Sequence, residues 1–149
     1  MTAMATQTLP PADVIPHNWE AEPRLVTDFL DNAVLDHAER LALDYMGRSW
    51  SYAETGRLVA RAARGLQDLG LAKGDRFALC LPNTPYFVVL YFAALKLGAI
   101  VIALNPLYTE SEMDHMLRDT GARMIAVPDI AAIHSKVRVV GPAAGIEKI

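Results

Sequence analysis

Four histidines (His17, His37, His115 and His134) and one cysteine, Cys80, are the residues of this 149-residue chain best suited to metal or nucleophile chemistry. No two histidines stand four apart, the spacing that sets a ligand pair on one helix face, and one cysteine builds neither a disulfide nor a thiolate metal cluster. Cys80 lies inside the apolar run Phe77–Leu81, where a thiol behaves as a small hydrophobe and burial raises its pKa, the reverse of what a nucleophile needs. The expectation is a core cysteine and no metal site.

Acid–base chemistry is suggested by Asp114-His115 beside Glu112, but adjacent residues on a helix point in different directions and cannot jointly serve one substrate atom. They read as surface helix residues. Arg57, Arg61 and Arg64 recur at helical spacing as an anion site or a solvated face, and the solvated face is the simpler account. Tyr86, Phe87, Tyr91 and Phe92 would line an acyl pocket or fill a core, and aromatic residues at helical spacing between two strands favour the core. Asp75 and Asp129 do not make the acidic set of a phosphoacceptor site.

Phosphate chemistry needs a backbone cradle, and neither G-x-G-x-x-G nor G-x-x-x-x-G-K-[ST] occurs. Fourteen Lys and Arg against seventeen Asp and Glu give a net charge of −3 without a basic block, so nucleic acid is not an expected partner. The first basic residue is Arg24, too late for a secretory start, and the lone cysteine suits a reducing, cytoplasmic compartment. No catalytic, cofactor-binding or metal-ligating residue is assigned.

The elements that would position a ligand are legible. With 52% hydrophobic and 21% charged residues, the chain has the composition of a globular protein with one main core. Pro85–Leu104 is long enough to span a bilayer, but Lys96, Gly98 and the switch to Ile100-Val101-Ile102 predict a helix of about a dozen residues, a stop and a buried strand instead.

Residues 1–23, with four prolines, predict an extended leader ordered only where Trp19 finds cover; residues 24–149 hold the rest. A helix is expected over Leu25–Leu41, a hairpin from Leu41–Met46 and Ser49–Tyr52 around Gly47-Arg48, and a helix over Glu54–Leu69 with Leu58, Val59, Ala62, Ala63, Leu66 and Leu69 inward. Three apolar runs follow at nearly equal spacing: Phe77–Leu81, Ile100–Leu104 and Met124–Val127. The first gap holds a helix opened by Thr84-Pro85, and the second one opened by the capping box Thr109…Glu112, with Met113, Met116 and Leu117 buried and Gly121 as its end. After them come a short helix, Ile130–Lys136, and a strand, Val137–Val140. The fold class is α/β, a partial parallel sheet flanked by helices (βαβαβ), preceded by a helix, a β-hairpin and a helix. In such a sheet ligands bind beyond the carboxyl ends of the strands, here Pro82-Asn83-Thr84, Asn105–Thr109 and Pro128-Asp129.

Five local features in fixed order carry a resemblance. They are Trp50-Ser51-Tyr52, Gly74-Asp75-Arg76, Leu81-Pro82-Asn83, Lys96-Leu97-Gly98-Ala99, and Asn105-Pro106-Leu107-Tyr108-Thr109 followed by Glu112. Together they resemble the N-terminal region of the adenylate-forming (AMP-binding) ligases, from about Leu25 to about Val140, most closely the bacterial long-chain fatty-acid–CoA ligases. The resemblance implies a two-step reaction in which a fatty-acid carboxylate attacks the α-phosphate of Mg-ATP and coenzyme A thiol then displaces AMP.

It also implies ATP, magnesium and coenzyme A as cofactors of a parent enzyme, a fatty acid as its substrate, and a cytoplasmic location, with a peripheral position at the membrane left open. The family's phosphate loop ending in Lys, its magnesium acid, its ribose Asp and its C-terminal-domain Lys have no counterpart here, so no family residue is carried over. The implied reading is an incomplete N-terminal region of the ligase's large domain, truncated at its C-terminal side, that binds no cofactor alone, is inactive by itself and self-associates. Relatives acting on aromatic or other carboxylates, and a non-catalytic α/β interaction module, are the alternatives.

Overall fold

The computed structural model describes residues 24–149, so the leader at 1–23, with His17 and Trp19, lies outside the described residues. Helix α1, Val26–Asp36, buries Leu30 and leaves Phe29 and Leu35 exposed. It stops well short of Leu41, because residues 38–40 turn the chain into the hairpin.

Strands β1, Leu41–Tyr45, and β2, Arg48–Ser51, pair antiparallel through a two-residue turn, Met46-Gly47. The turn lies one residue earlier than expected. Both central residues have positive φ, 50° at Met46 and 77° at Gly47, the pattern of a type I′ turn whose twist matches that of the strands.

Helix α2, Tyr52–Asp68, begins two residues before the expected start. Ser51-Tyr52-Ala53-Glu54 is itself a capping box: the Ser51 hydroxyl accepts from the Glu54 N–H at 3.2 Å, and the Glu54 carboxylate accepts from the Ser51 N–H at 2.8 Å. Thr55, Val59, Ala63 and Leu66 form its buried stripe, whereas Leu69, expected to face inward, lies past the helix end and is 54% exposed.

The parallel sheet comprises β3, Arg76–Leu79, β4, Ile100–Ala103, and β5, Met124–Ala126, in the order β4-β3-β5. Helix α3, Pro85–Lys96, links β3 to β4, and helix α4, Glu110–Thr120, links β4 to β5. The path steps one way from β3 and then back across it, so two crossovers of the same hand place α3 and α4 on opposite faces.

Side-chain alternation along β3 shows this division. Phe77, Leu79 and Leu81 join Leu30, Val59, Leu66, Ala93 and Ala94 on one face, while Ala78 and Cys80 join Met113, Leu117 and Val137 on the other. The single core expected from chain length is therefore split in two by the sheet. No helix among the described residues is long and apolar enough to cross a membrane, and Pro85–Leu104 resolves into α3, a turn and β4, but the strand expected to be buried lies at the sheet edge, with Ile100 52% exposed.

The expected strand at Val137–Val140 is instead the end of helix α5, Ala131–Val140. Ile133, Val137 and Val140 recur at helical spacing and face the second core, whereas Val139 is 65% exposed. In a strand Val137 and Val139 would share one face; packing at the 3.6-residue period overrides β-propensity. After a 3₁₀ turn, Pro142–Ala144, the chain runs alongside β5: Lys148 bridges Met124 in parallel sense, and its carbonyl accepts from the Ile125 N–H at 3.0 Å.

Candidate functional site

Three loops leave the carboxyl ends of the sheet, residues 80–84 after β3, 104–109 after β4 and 127–130 after β5. The first leads to α3 on one face and the other two to α4 and α5 on the opposite face, so β3 is the strand at which the chain's path divides. Loops that part in this way open a crevice, with helix N-termini directed at it.

The three helix starts differ. At α4 the Thr109 hydroxyl accepts from the Glu112 N–H, and the Glu112 carboxylate accepts from the Thr109 N–H and hydroxyl, both at 2.8 Å. These bonds hold the Glu112 carboxyl below its ordinary range. The Asn105 side chain accepts from the Leu107 N–H at 2.9 Å, and its carbonyl accepts from Tyr108 N–H at 3.0 Å. Every backbone N–H from Leu107 to Thr109 thus has an intramolecular acceptor. By contrast, Thr84 before α3 and Ile130 before α5 make no side-chain cap.

Lys136, which the sequence reading did not single out, reaches from α5 into this edge. Its ammonium donates to the carbonyl of Tyr108 and, at 3.5 Å, to that of Pro106. The signal was available only as a lysine at helical spacing beside the buried stripe Ile133, Val137 and Val140.

The residues weighed for chemistry are scattered. Cys80 is wholly buried in the second core, and burial pushes its thiol up despite the opposing charge of Lys136. His37 is the exposed C-cap residue of α1, and His115 is exposed on α4. Asp114 pairs with Arg118 one turn on, at 2.9 Å, and that hydrogen bond holds its carboxyl below the ordinary value. Arg57, Arg61 and Arg64 are exposed on α2, with Arg64 bound to Asp68 at 3.0 Å. Phe87, Tyr91 and Phe92 pack against the first core, Phe87 stacked on Tyr91 at 6.1 Å and Tyr91 edge-on to Phe92 at 5.6 Å; Tyr86 is exposed.

The AMP-binding enzyme family model matches residues 30–147. The chain belongs to that family. A long-chain-fatty-acid–CoA ligase of Bacillus subtilis is 33% identical over 116 residues, covering 78% of this chain and 21% of that protein. Triostin synthetase I of Streptomyces triostinicus is 40% identical over 111 residues, covering 74% and 21% respectively. Among solved structures, the N-terminal domain of FACL13 from Mycobacterium tuberculosis superposes with a TM-score of 0.76 at 26% identity, over 85% of this chain and 33% of that one. The chain spans about a fifth of the length of these curated relatives.

The family description implies ATP, and the fatty-acid–CoA ligases among the relatives imply coenzyme A. Among the described residues, the turn before α4, the arginines of α2 and the acidic side chains do not make a site for those groups. No cluster of three His, Cys, Asp or Glu that could hold a metal ion occurs among them, the N–H groups before α4 are already engaged, and the arginines of α2 stand on its solvent face. No step through nucleotide or metal follows from this part of the fold.

Proposed function

We propose that this chain forms the N-terminal region of the large domain of an ATP-dependent acid–thiol ligase whose acid is a long-chain fatty acid. The observation that carries the reading is the 33% identity to the Bacillus subtilis ligase over 116 residues. In this reading residues 24–149 are scaffold and part of the substrate-side wall. The groups that neutralise phosphate and bind magnesium and coenzyme A come from elsewhere in the ligase, and the 149 residues alone are inactive. Cys80, a lone free thiol in an apolar core, supports a reducing, cytoplasmic setting.

The isolated chain is further proposed to self-associate. Leu66, Leu69, Phe77, Leu90, Met124 and Ile149 line an open groove on the α2–α3 side of the sheet, and β4 is a sheet edge with Ile100 52% exposed.

The 40% identity to Triostin synthetase I, whose name does not describe a fatty-acid ligase, supports a second reading, in which the activated carboxylate is not a fatty acid. The test is carboxylate-dependent ATP–pyrophosphate exchange by the ligase that carries this region, supplied with a long-chain fatty acid, an aromatic acid or an amino acid. The highest kcat/KM with the long-chain acid supports the first reading. Exchange confined to an aromatic or amino acid supports the second.

A further inference from the structure

The loop between β4 and α4 is fixed from three directions. Asn105 folds it into a turn, the Thr109–Glu112 box anchors its end, and Lys136 draws the Pro106 and Tyr108 carbonyls toward α5 from 30 and 28 residues away. An ammonium donating to a main-chain carbonyl makes a charge-assisted hydrogen bond, stronger than a neutral one; Lys136 makes it to Tyr108 from a half-buried position, with the Pro106 carbonyl at the outer limit of 3.5 Å.

The consequence for a ligand is specific. With the N–H groups of Leu107, Tyr108 and Thr109 engaged, the turn has no free backbone donor for phosphate. What it presents is Leu107, 86% exposed at its tip. A turn held this way keeps one exposed apolar side chain, Leu107, in a fixed place.

We propose that Lys136 is a positioning residue that clamps the Pro106–Thr109 turn, and with it Leu107, at the substrate edge as a piece of apolar wall. This rests on the reading of that edge as the substrate side of a carboxylate-activating ligase. The clamp itself is testable without activity.

Two variants of the ligase that carries this region, Lys136→Met and Lys136→Arg, are compared by amide hydrogen exchange. Lys136→Met keeps the stem but loses the donors, and should speed exchange in peptides covering 106–109 by about tenfold while those of α2 stay unchanged. Lys136→Arg, which can still donate to carbonyls, should restore slow exchange. Equal rates for Lys136→Met and the parent chain, or equal loosening of α2, would overturn the clamp.

In the ligase that carries this region, Lys136→Met should raise KM for the fatty acid several-fold with kcat within about twofold, and Lys136→Arg should recover it. A fall in kcat with KM unchanged would overturn the positioning role. Absence of fatty-acid-dependent activity in the parent ligase would refute the substrate reading, while hydrogen exchange would still decide the clamp.

Discussion

The Lys96 ammonium lies 2.5 Å from a carboxylate oxygen of Asp31, joining the last turn of α3 to the middle of α1. Lys96 is the charge that interrupts the longest apolar run, and here it finds its counter-ion on a neighbouring helix. The side chains are 28% and 49% exposed, so solvent screens the pair. A double-mutant cycle with Lys96→Met and Asp31→Asn, read by urea unfolding, should give a coupling of about 0.5 kcal/mol that shrinks with added salt. A coupling above about 2 kcal/mol would make this pair a main determinant of α1 docking.

Met46 carries a φ of 50°, a conformation that favours Asn or Gly in a type I′ turn. Met46→Asn should therefore raise stability by about 0.5 kcal/mol, measured as the shift in unfolding midpoint. A loss of stability would mean that the exposed methionine makes contacts that outweigh the strain.

The α5 assignment makes a sharp contrast between neighbours. Val137 is fully buried and Val139 is 65% exposed. Val137→Asp should cost about 3 kcal/mol or more, and Val139→Asp no more than about 0.5 kcal/mol. Similar losses at the two positions would favour the strand pattern.

Glu112 and Asp114 both have lowered carboxyl pKa values in the folded chain, Glu112 through Thr109 and Asp114 through Arg118. A carboxylate depressed by folding stabilises above its unfolded pKa, and the contribution disappears as pH falls through the folded value, hence below roughly pH 4. The Glu112→Gln, Asp114→Asn double variant should lose less stability than the parent chain between pH 6 and pH 3. Parallel acid-unfolding curves would contradict this.

The sequence made the repeating part of the fold legible and left the junctions less so. Thr109…Glu112 and Gly121 announce α4 by backbone chemistry that acts locally, and Gly121 does take the left-handed conformation, φ 64°, that ends the helix. Ser51…Glu54 carries the same signal as Thr109…Glu112, but the β-prone Trp50-Ser51-Tyr52 run masked it. Val137–Val140 misled because β-branched composition is local, whereas the second core that draws Val137 and Val140 inward is built by α4 and Cys80, distant in sequence. Lys136 escaped for the same reason, since its acceptors are carbonyls 28 and 30 residues away.

These residues are proposed to be one part of a carboxylate-activating ligase and not to suffice for its chemistry. Fatty-acid-dependent ATP–pyrophosphate exchange decides this, measured side by side on residues 1–149 and on the polypeptide obtained by reading the source gene past the codon for Ile149. Exchange is expected from the longer polypeptide and none from the 149 residues. Robust fatty-acid-dependent exchange by the 149 residues alone, or a stop codon directly after Ile149, would contradict it.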